Sequence, residues 1–355
     1  MLVIVVKKNK LKIYLFIIFI ILISIGVLYF ISFKNDKNTI NTNLTNNYSD
    51  KSISKMKELG IYEKIDKKNY SKTLDIAIFD EYFQNEYVNK YELIEYVDTD
   101  NFIDLVNILL DGGTNPKDVS NIISSYTNCP NFSKYNFERY LSYKEKNKDL
   151  TYQDVVTRVN IKLDKEYYTD TKPVENPDSL YAVVNKYNYL DANFIPKNLK
   201  PLFNNSNVTM VEEAANAYKE LVETAKNDGI TLIATTAYRS YAFQSSLYNS
   251  YKNKDGEALA DTYSARPGYS EHQTGLAADL NDPNYSARRL SAEDYEWLKN
   301  NADKYGFIIR FPKGKENITG YQEEDWHIRY LGKDVAKKVK ESGLTLDEYY
   351  DLYLK

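Results

Sequence analysis

The chain has one cysteine, Cys129, and only two histidines among its 355 residues. A lone cysteine excludes an intrachain disulfide and a cysteine-rich metal cluster, and it leaves the redox compartment unreadable. Surplus basic charge is also missing. With 46 Lys and Arg against 50 Asp and Glu, the net charge is −4. This argues against nucleic acid as the main partner, because phosphate binding needs a basic surface. The one dense basic run, Lys7, Lys8, Lys10 and Lys12, lies at the extreme N-terminus, and Lys337, Lys338 and Lys340 read as a solvated helix face. Tyrosine, by contrast, is abundant, with 34 copies. Compositional drift in an AT-rich genome accounts for that more simply than a tyrosine-lined ligand surface. The 43% hydrophobic and 27% charged content fits a folded, mostly soluble protein of one large or two ordinary domains.

The exception to solubility is "IYLFIIFIILISIGVLYFISF", residues 13–33, which carries no charge. At about 1.5 Å per residue, a helix of this length spans a bilayer core of roughly 30 Å. Lysines on its N-terminal side predict a cytoplasmic segment 1–12 and an extracellular remainder. The apolar run is long for a cleaved signal peptide and no small-x-small site follows it, so the reading is a single-pass signal anchor in the cell membrane. Residues 34–50, rich in Asn and Thr, read as a flexible linker.

Residues 51–150 read as a helical accessory region. "ISKMKELGIYEKI" and "LVNILLDGGTNPKDVSNII" each show an apolar helical pattern, a glycine stop and a new start, with Pro116 suited to a helix N-terminus. A pair of helical hairpins over 51–135 that binds a wall polymer or a protein partner is one reading; a helical spacer is the other.

From 151 the texture changes. "DVVTRVNIKL" and "SLYAVVNKY" are β-branched and predict strands. Thr209 and Glu212 have the spacing of a capping box for a helix whose buried face is Val211, Ala214, Ala215, Tyr218, Leu221, Val222 and Ala225, ended by Gly229. "ITLIATTAY" predicts a strand, "RSYAFQSSLYNSY" a turn into a helix, and 291 to about 304 a helix stopped by Gly306. "FIIRF" and "WHIRYLG" predict strands joined by "PKGKENITG", and Thr345 with Glu348 caps a last helix. Strands and helices mix without βαβ regularity, which predicts an α+β fold.

Both histidines stand in suggestive company: His272 in "PGYSEHQTGLAAD" and His327 in "EEDWHIRY". Imidazole and carboxylate are common zinc ligands, and a catalytic zinc takes three protein ligands and a water. His272, Asp279 and His327 are of the right types and number. Gly275, Ala277 and Ala278 leave little bulk between the first two. Cleaving a peptide also needs a proton acceptor, for which Glu324 is the natural candidate and Glu323 and Asp325 the competitors. Residues three apart on a regular strand face opposite sides, so Glu324 is expected on the turn leading into the strand.

The wording of these stretches goes further than their spacing. "SEHQTGLAAD" matches S-x-H-x-x-G-x-A-x-D, "EDWHIRY" matches E-x-W-H-x-R-Y, and "AYRSYAFQSSLY" and "SARPGYSEHQTG" match as well. Taken together over about 235–332, they resemble the VanY-type zinc D-alanyl-D-alanine carboxypeptidases of peptidase family M15. The resemblance implies a DD-peptidase-like α+β catalytic domain at 151–355, with an antiparallel sheet, flanking helices and a core at about 205–335. It implies one zinc held by His272, Asp279 and His327, with Glu324 as general base. Arg239 would meet the substrate carboxylate or the developing oxyanion, and Gln244 and Ser270 would hold the terminal D-alanine. Asp325 stands where many relatives carry Pro. The implied substrate is the peptidoglycan stem peptide of a Gram-positive type bacterium. An L,D-carboxypeptidase acting on tetrapeptide stems, an endopeptidase, and a non-catalytic wall-binding module share these motifs and remain the alternatives.

Overall fold

The computed structural model describes residues 50–58, 105, 108, 109, 111–203, 205–282 and 290–355. The expected membrane anchor at 13–33, nearly all of the linker and most of the first hairpin lie outside the described residues. Among the described residues no helix is long and apolar enough to cross a membrane. The chain divides into two units, Met1–Ser125 and Tyr126–Lys355. Helix α1 spans Asp50–Glu58 in the first, and helix α2 (Pro116–Thr127), whose last residues Tyr126 and Thr127 belong to the second, begins at the proline that its sequence marked as a start.

The second unit opens with two short helices, α3 (Phe137–Lys146) and α4 (Tyr152–Asn160). The expected strand at "DVVTRVNIKL" is therefore a helix. Its cause is a capping box: the Thr151 hydroxyl accepts from the Asp154 N–H at 3.1 Å, and the Asp154 carboxylate accepts from the Thr151 N–H at 3.1 Å. The cap starts the helix, and Val155, Val156 and Val159 are then buried at helical spacing. "SLYAVVNKY" is not a strand either. Only the two-residue pair β1 (Lys172–Pro173) and β2 (Asn188–Tyr189) forms a ladder there. The segment between is fixed by burial and by Asn185, whose Oδ1 accepts the N–H groups of Tyr187 at 2.9 Å and Asn188 at 3.0 Å.

Lys186, in that segment, is 2% exposed. Its ammonium lies 4.1 Å from the Tyr321 ring centroid and donates to the Asp261 carbonyl at 2.5 Å. Burial lowers its pKa to about 8. The sign follows from linkage. The unfolded chain, with an ordinary lysine, binds more protons between about pH 8 and 10.5, so this group's destabilising contribution is full below pH 8 and fades as pH rises through that window. Relative to Lys186→Met, the native chain should gain on the order of 2 to 3 kcal/mol between pH 8 and 10.5. Urea unfolding of both chains across that range checks it; parallel pH profiles would contradict it.

A hairpin of β3 (Leu199–Leu202) and β4 (Asn205–Val211) leads into helix α5 (Glu212–Asn227). The expected Thr209 capping box does not form. Thr209 pairs with Pro201 inside β4, and Val211 becomes the N-cap without a side-chain bond. The predicted apolar face of α5 is nonetheless buried from Ala214 to Ala225. The central sheet consists of β5 (Ile233–Thr236), β6 (Ala277–Asn281), β7 (Phe307–Phe311) and β8 (Glu324–Tyr330). Its order is β5-β6-β8-β7 and every pairing is antiparallel. Helices α6 (Tyr241–Asp255) and α7 (Glu257–Tyr263) connect β5 to β6, and α8 (Ala292–Asn301) precedes β7. The "PKGKENITG" connection contains a single helical turn, α9 (Glu316–Thr319). Two C-terminal helices follow, α10 (Lys333–Ser342) and α11 (Leu346–Tyr353), the latter capped by Thr345 and Glu348 as its sequence predicts.

Strand periodicity divides the sheet chemically. Ala278, Leu280, Phe307, Ile328 and Tyr330 join α5 and α8 in one buried apolar cluster. Their alternating neighbours, Asp279, Arg310, His327 and Arg329, therefore project from the opposite face. One side of the sheet is core and the other gathers charge.

Candidate active site

The site is assembled from the charged face of the sheet and the turn that precedes β6. Asp279 and His327 sit directly opposite each other on β6 and β8. His272 lies in a 3-10 turn, Glu271–Thr274, which closes at Gly275 with φ +70°. A Cβ on Gly275 would meet Leu199 Cδ2 at 3.0 Å, Pro196 Cγ at 3.2 Å and Val211 Cγ2 at 3.2 Å. Glycine is thus required twice, for the left-handed backbone and for the close approach. Gly275→Ala should cost about 1 to 3 kcal/mol. The readout is a lowered melting temperature; an unchanged one would mean that the hairpin yields freely.

One ligand atom each from His272, Asp279 and His327 lie within 4.8 Å of one another. Asp279 Oδ1 is 3.3 Å from His272 Nε2 and 3.1 Å from His327 Nδ1. It is buried and makes no hydrogen bond. The far nitrogen of each ring is engaged. His272 Nδ1 lies 2.7 Å from the Ala237 carbonyl, which can only accept, so Nδ1 carries the proton and Nε2 offers its lone pair to the site. His327 Nε2 lies 3.1 Å from the Glu271 carboxylate, which leaves Nδ1 facing the same point. Ring nitrogens oriented from behind in this way are the usual support of metal-binding histidines. The donor set, two imidazoles and a carboxylate around an orphaned buried oxygen, fits a divalent metal ion.

Glu324 is the first paired residue of β8, opposite Phe311, whereas Ile328 pairs with Ile309. Two positions on β7 therefore span four on β8. This irregularity turns Glu324 onto the face of His327, with Oε2 3.4 Å from His327 Nδ1. Glu324 was expected on a preceding turn; the same end is reached from within the ladder. Burial raises its pKa to about 7, with Asp279 adding to the rise and His327 and Arg239 opposing it. Burial lowers His272 to about 4, helped by Arg239. For His327 burial acts downward, but the facing carboxylates of Asp279 and Glu271 prevail and push it up to about 9.

Arg239, just beyond β5, donates through Nη2 to Asp279 Oδ2 and through Nε to Thr236 Oγ1 at 3.0 Å. In this chain the guanidinium is thus engaged with Asp279. A grip on substrate would have to share it. Gln244, in the first turn of α6, is 2% exposed and donates to the Ala265 carbonyl at 2.8 Å, while its Oε1 has no partner. Ser270 is buried at the head of the His272 turn. All seven singled-out residues, Arg239, Gln244, Ser270, His272, Asp279, Glu324 and His327, line one cavity of about 340 Å³, whose aromatic wall includes Tyr251, Tyr263 and Trp326. Its size suits a short peptide end.

Sequence reasoning missed Glu271. Burial would raise its pKa, but Arg310 and Arg329, with the His327 bond, hold the carboxyl well below the usual range. It stands in the quoted motif beside His272, yet it serves His327, and no local signal announces a partner on another strand.

The fold and the site define a class: a metallopeptidase. Comparison with known proteins agrees. The family model for VanY, D-alanyl-D-alanine carboxypeptidase, matches residues 207–333. The putative carboxypeptidase YodJ of Bacillus subtilis (strain 168) is 39% identical over 206 residues, covering 53% of this chain and 76% of the relative. A D-alanyl-D-alanine carboxypeptidase of Enterococcus faecium is 38% identical over 151 residues, covering 42% of this chain and 46% of the relative. Among solved structures, that of the LdcB LD-carboxypeptidase shares 38% identity, with a TM-score of 0.47 over 53% of this chain and 92% of the other. The chain belongs to the VanY-type D-alanyl-D-alanine carboxypeptidases.

Proposed function

We propose that the chain removes the C-terminal D-alanine from peptidoglycan stem peptides ending in D-Ala-D-Ala, using one zinc ion held by His272, Asp279 and His327. The observation that carries this reading is the convergence of the three donors, Glu324 and the substrate-side residues on one cavity. When bound there, the ion supplies Lewis acidity toward the scissile carbonyl and acidifies the attacking water. Glu324, tuned by burial toward neutrality, takes the water's proton and returns it to the leaving amine. Arg239 stabilises developing negative charge or the free carboxylate, for which a permanently charged planar fork is suited. Gln244 would accept a hydrogen bond from the terminal residue, a reading supported by its Oε1 being buried without a partner and by its place in the cavity lining. Residues 13–33 would anchor the enzyme in the cell membrane, with the catalytic unit outside and 34–50 giving it reach.

The test is product analysis. The zinc-loaded full chain is incubated separately with muropeptides ending in D-Ala-D-Ala and with tetrapeptides ending in one D-Ala, and the products are read by mass spectrometry. Loss of one alanine from the pentapeptide alone is expected. Loss from the tetrapeptide alone would make the enzyme an L,D-carboxypeptidase, and no product from either would turn the reading toward an endopeptidase or a wall-binding module.

A further inference from the structure

Behind the cavity the charged face of the sheet continues into a buried ion cluster that the proposed reaction does not use. Glu271 Oε2 meets His327 Nε2 at 3.1 Å, and its Oε1 accepts from Arg310 Nε at 2.8 Å. Arg310, 1% exposed, places Nη1 2.8 Å from Asp347 Oδ2. Asp347, 5% exposed, accepts through Oδ1 from Asn185 Nδ2 at 2.7 Å. Arg329 Nη1 also reaches Glu271 Oε1, at 3.4 Å, while its Nη2 donates to the carbonyls of Leu180 and Ala182. A line of direct contacts thus runs from the last helix, α11, to the imidazole of His327.

We infer that Asp347 is a positioning residue for the metal site, acting through Arg310 and Glu271 to hold the His327 ring with Nδ1 toward the cavity. The inference rests on the metal-site reading above. Its physical basis is charge balance among buried side chains. Two guanidiniums face two carboxylates, so each carboxylate is claimed from a defined direction. Asp347 Oδ2 lies 2.8 Å from Arg310 Nη1 without the alignment of a hydrogen bond, so it holds that edge of the guanidinium by charge while Nε donates to Glu271. Without the Asp347 charge, Arg310 and Arg329 both turn on Glu271. The carboxylate is then drawn toward Oε1's partners and away from His327. An unpaired buried charge is costly enough to force such a shift. Partners that orient metal-ligating histidines typically carry 10- to 100-fold in metal affinity. Asp347, two contacts beyond Glu271, should stand near the lower end. Asn185 makes the arrangement a junction, because the segment before β2 and the first turn of α11 both end on the same carboxylate.

The experiment measures Zn²⁺ affinity of the full chain by competition with a chromophoric chelator, well below each variant's melting temperature. Asp347→Asn should weaken Zn²⁺ binding roughly 10-fold. Arg310→Lys should weaken it as well, because a point charge cannot bridge both carboxylates as the fork does. This second variant keeps the buried positive charge and guards against a folding failure of the first. Ser291→Ala is the control: it removes the cap of α8, which packs on the apolar face of the sheet away from Asp347, Arg310 and Glu271, so it should lower the melting temperature without changing Zn²⁺ affinity. The inference is overturned if Asp347→Asn and Arg310→Lys bind Zn²⁺ as the native chain does, or if Ser291→Ala weakens binding as much as they do. A native chain that takes up no Zn²⁺ would sink the metal-site reading itself; native uptake with no effect of the variants would sink the Asp347 line alone.

Discussion

Glu324→Ala is expected to lower turnover of a D-Ala-D-Ala peptide roughly 10²- to 10⁴-fold while zinc content stays at the native level. The size follows from the role: a general base of this kind supplies that factor when it sits within reach and its pKa lies near the working pH. Glu324 is suited to the role, since it lines the cavity beside the three donors and burial raises its carboxyl toward neutrality. Metal retention follows from the geometry, because the three converging donor atoms come from His272, Asp279 and His327. The check pairs steady-state kinetics with metal analysis of the same preparation. A variant that keeps native turnover would hand the role to Glu323, which also lines the cavity, or to Asp325. A variant that loses both zinc and turnover would make Glu324 a ligand.

His327→Ala is expected to abolish both zinc retention and turnover. Nearly every part of the site meets at this residue: Asp279 lies across the ladder, Glu324 beside Nδ1, and Glu271 behind Nε2. The fold should survive, since Glu271 keeps Arg310 and Arg329 and the substitution removes a side chain without stranding its neighbours' charge. If zinc binds the folded chain and not the unfolded one, as proposed, it should raise the native melting temperature, by about 4 kcal/mol of stability at free zinc near 1,000 times its dissociation constant. Thermal unfolding with and without zinc reads this directly. The native curve should move and the His327→Ala curve should not. A zinc-dependent shift that persists in the variant would place the ion elsewhere.

The site was more legible in the sequence than the fold around it. His272, Asp279, Glu324 and His327 fall in two short stretches, and sequential order plus a single strand pairing is enough to bring them together. What those stretches could not tell is how residues three apart share a face. The answer is the β8 irregularity opposite Ile309 and Phe311, a property of two strands together. Glu271, Arg310 and Asp347 escaped notice for a related reason: their contacts join a turn, a strand and the last helix across long separations. Helix α4 was misread because the β-branched content of "DVVTRVNIKL" was weighed above the Thr151–Asp154 cap that starts it. Thr209 fails the other way. It has the spacing of a cap, but pairing with Pro201 claims it for β4. The Thr345 cap, with no competing strand, forms as written.

The most direct test of the account is a zinc titration of the chelator-stripped full chain, following D-alanine release from a peptide ending in D-Ala-D-Ala. The account predicts no release without metal, a linear rise with added zinc, and a break at one equivalent. Release from the metal-free chain, or a rise that continues past one equivalent, would contradict a single catalytic zinc at His272, Asp279 and His327.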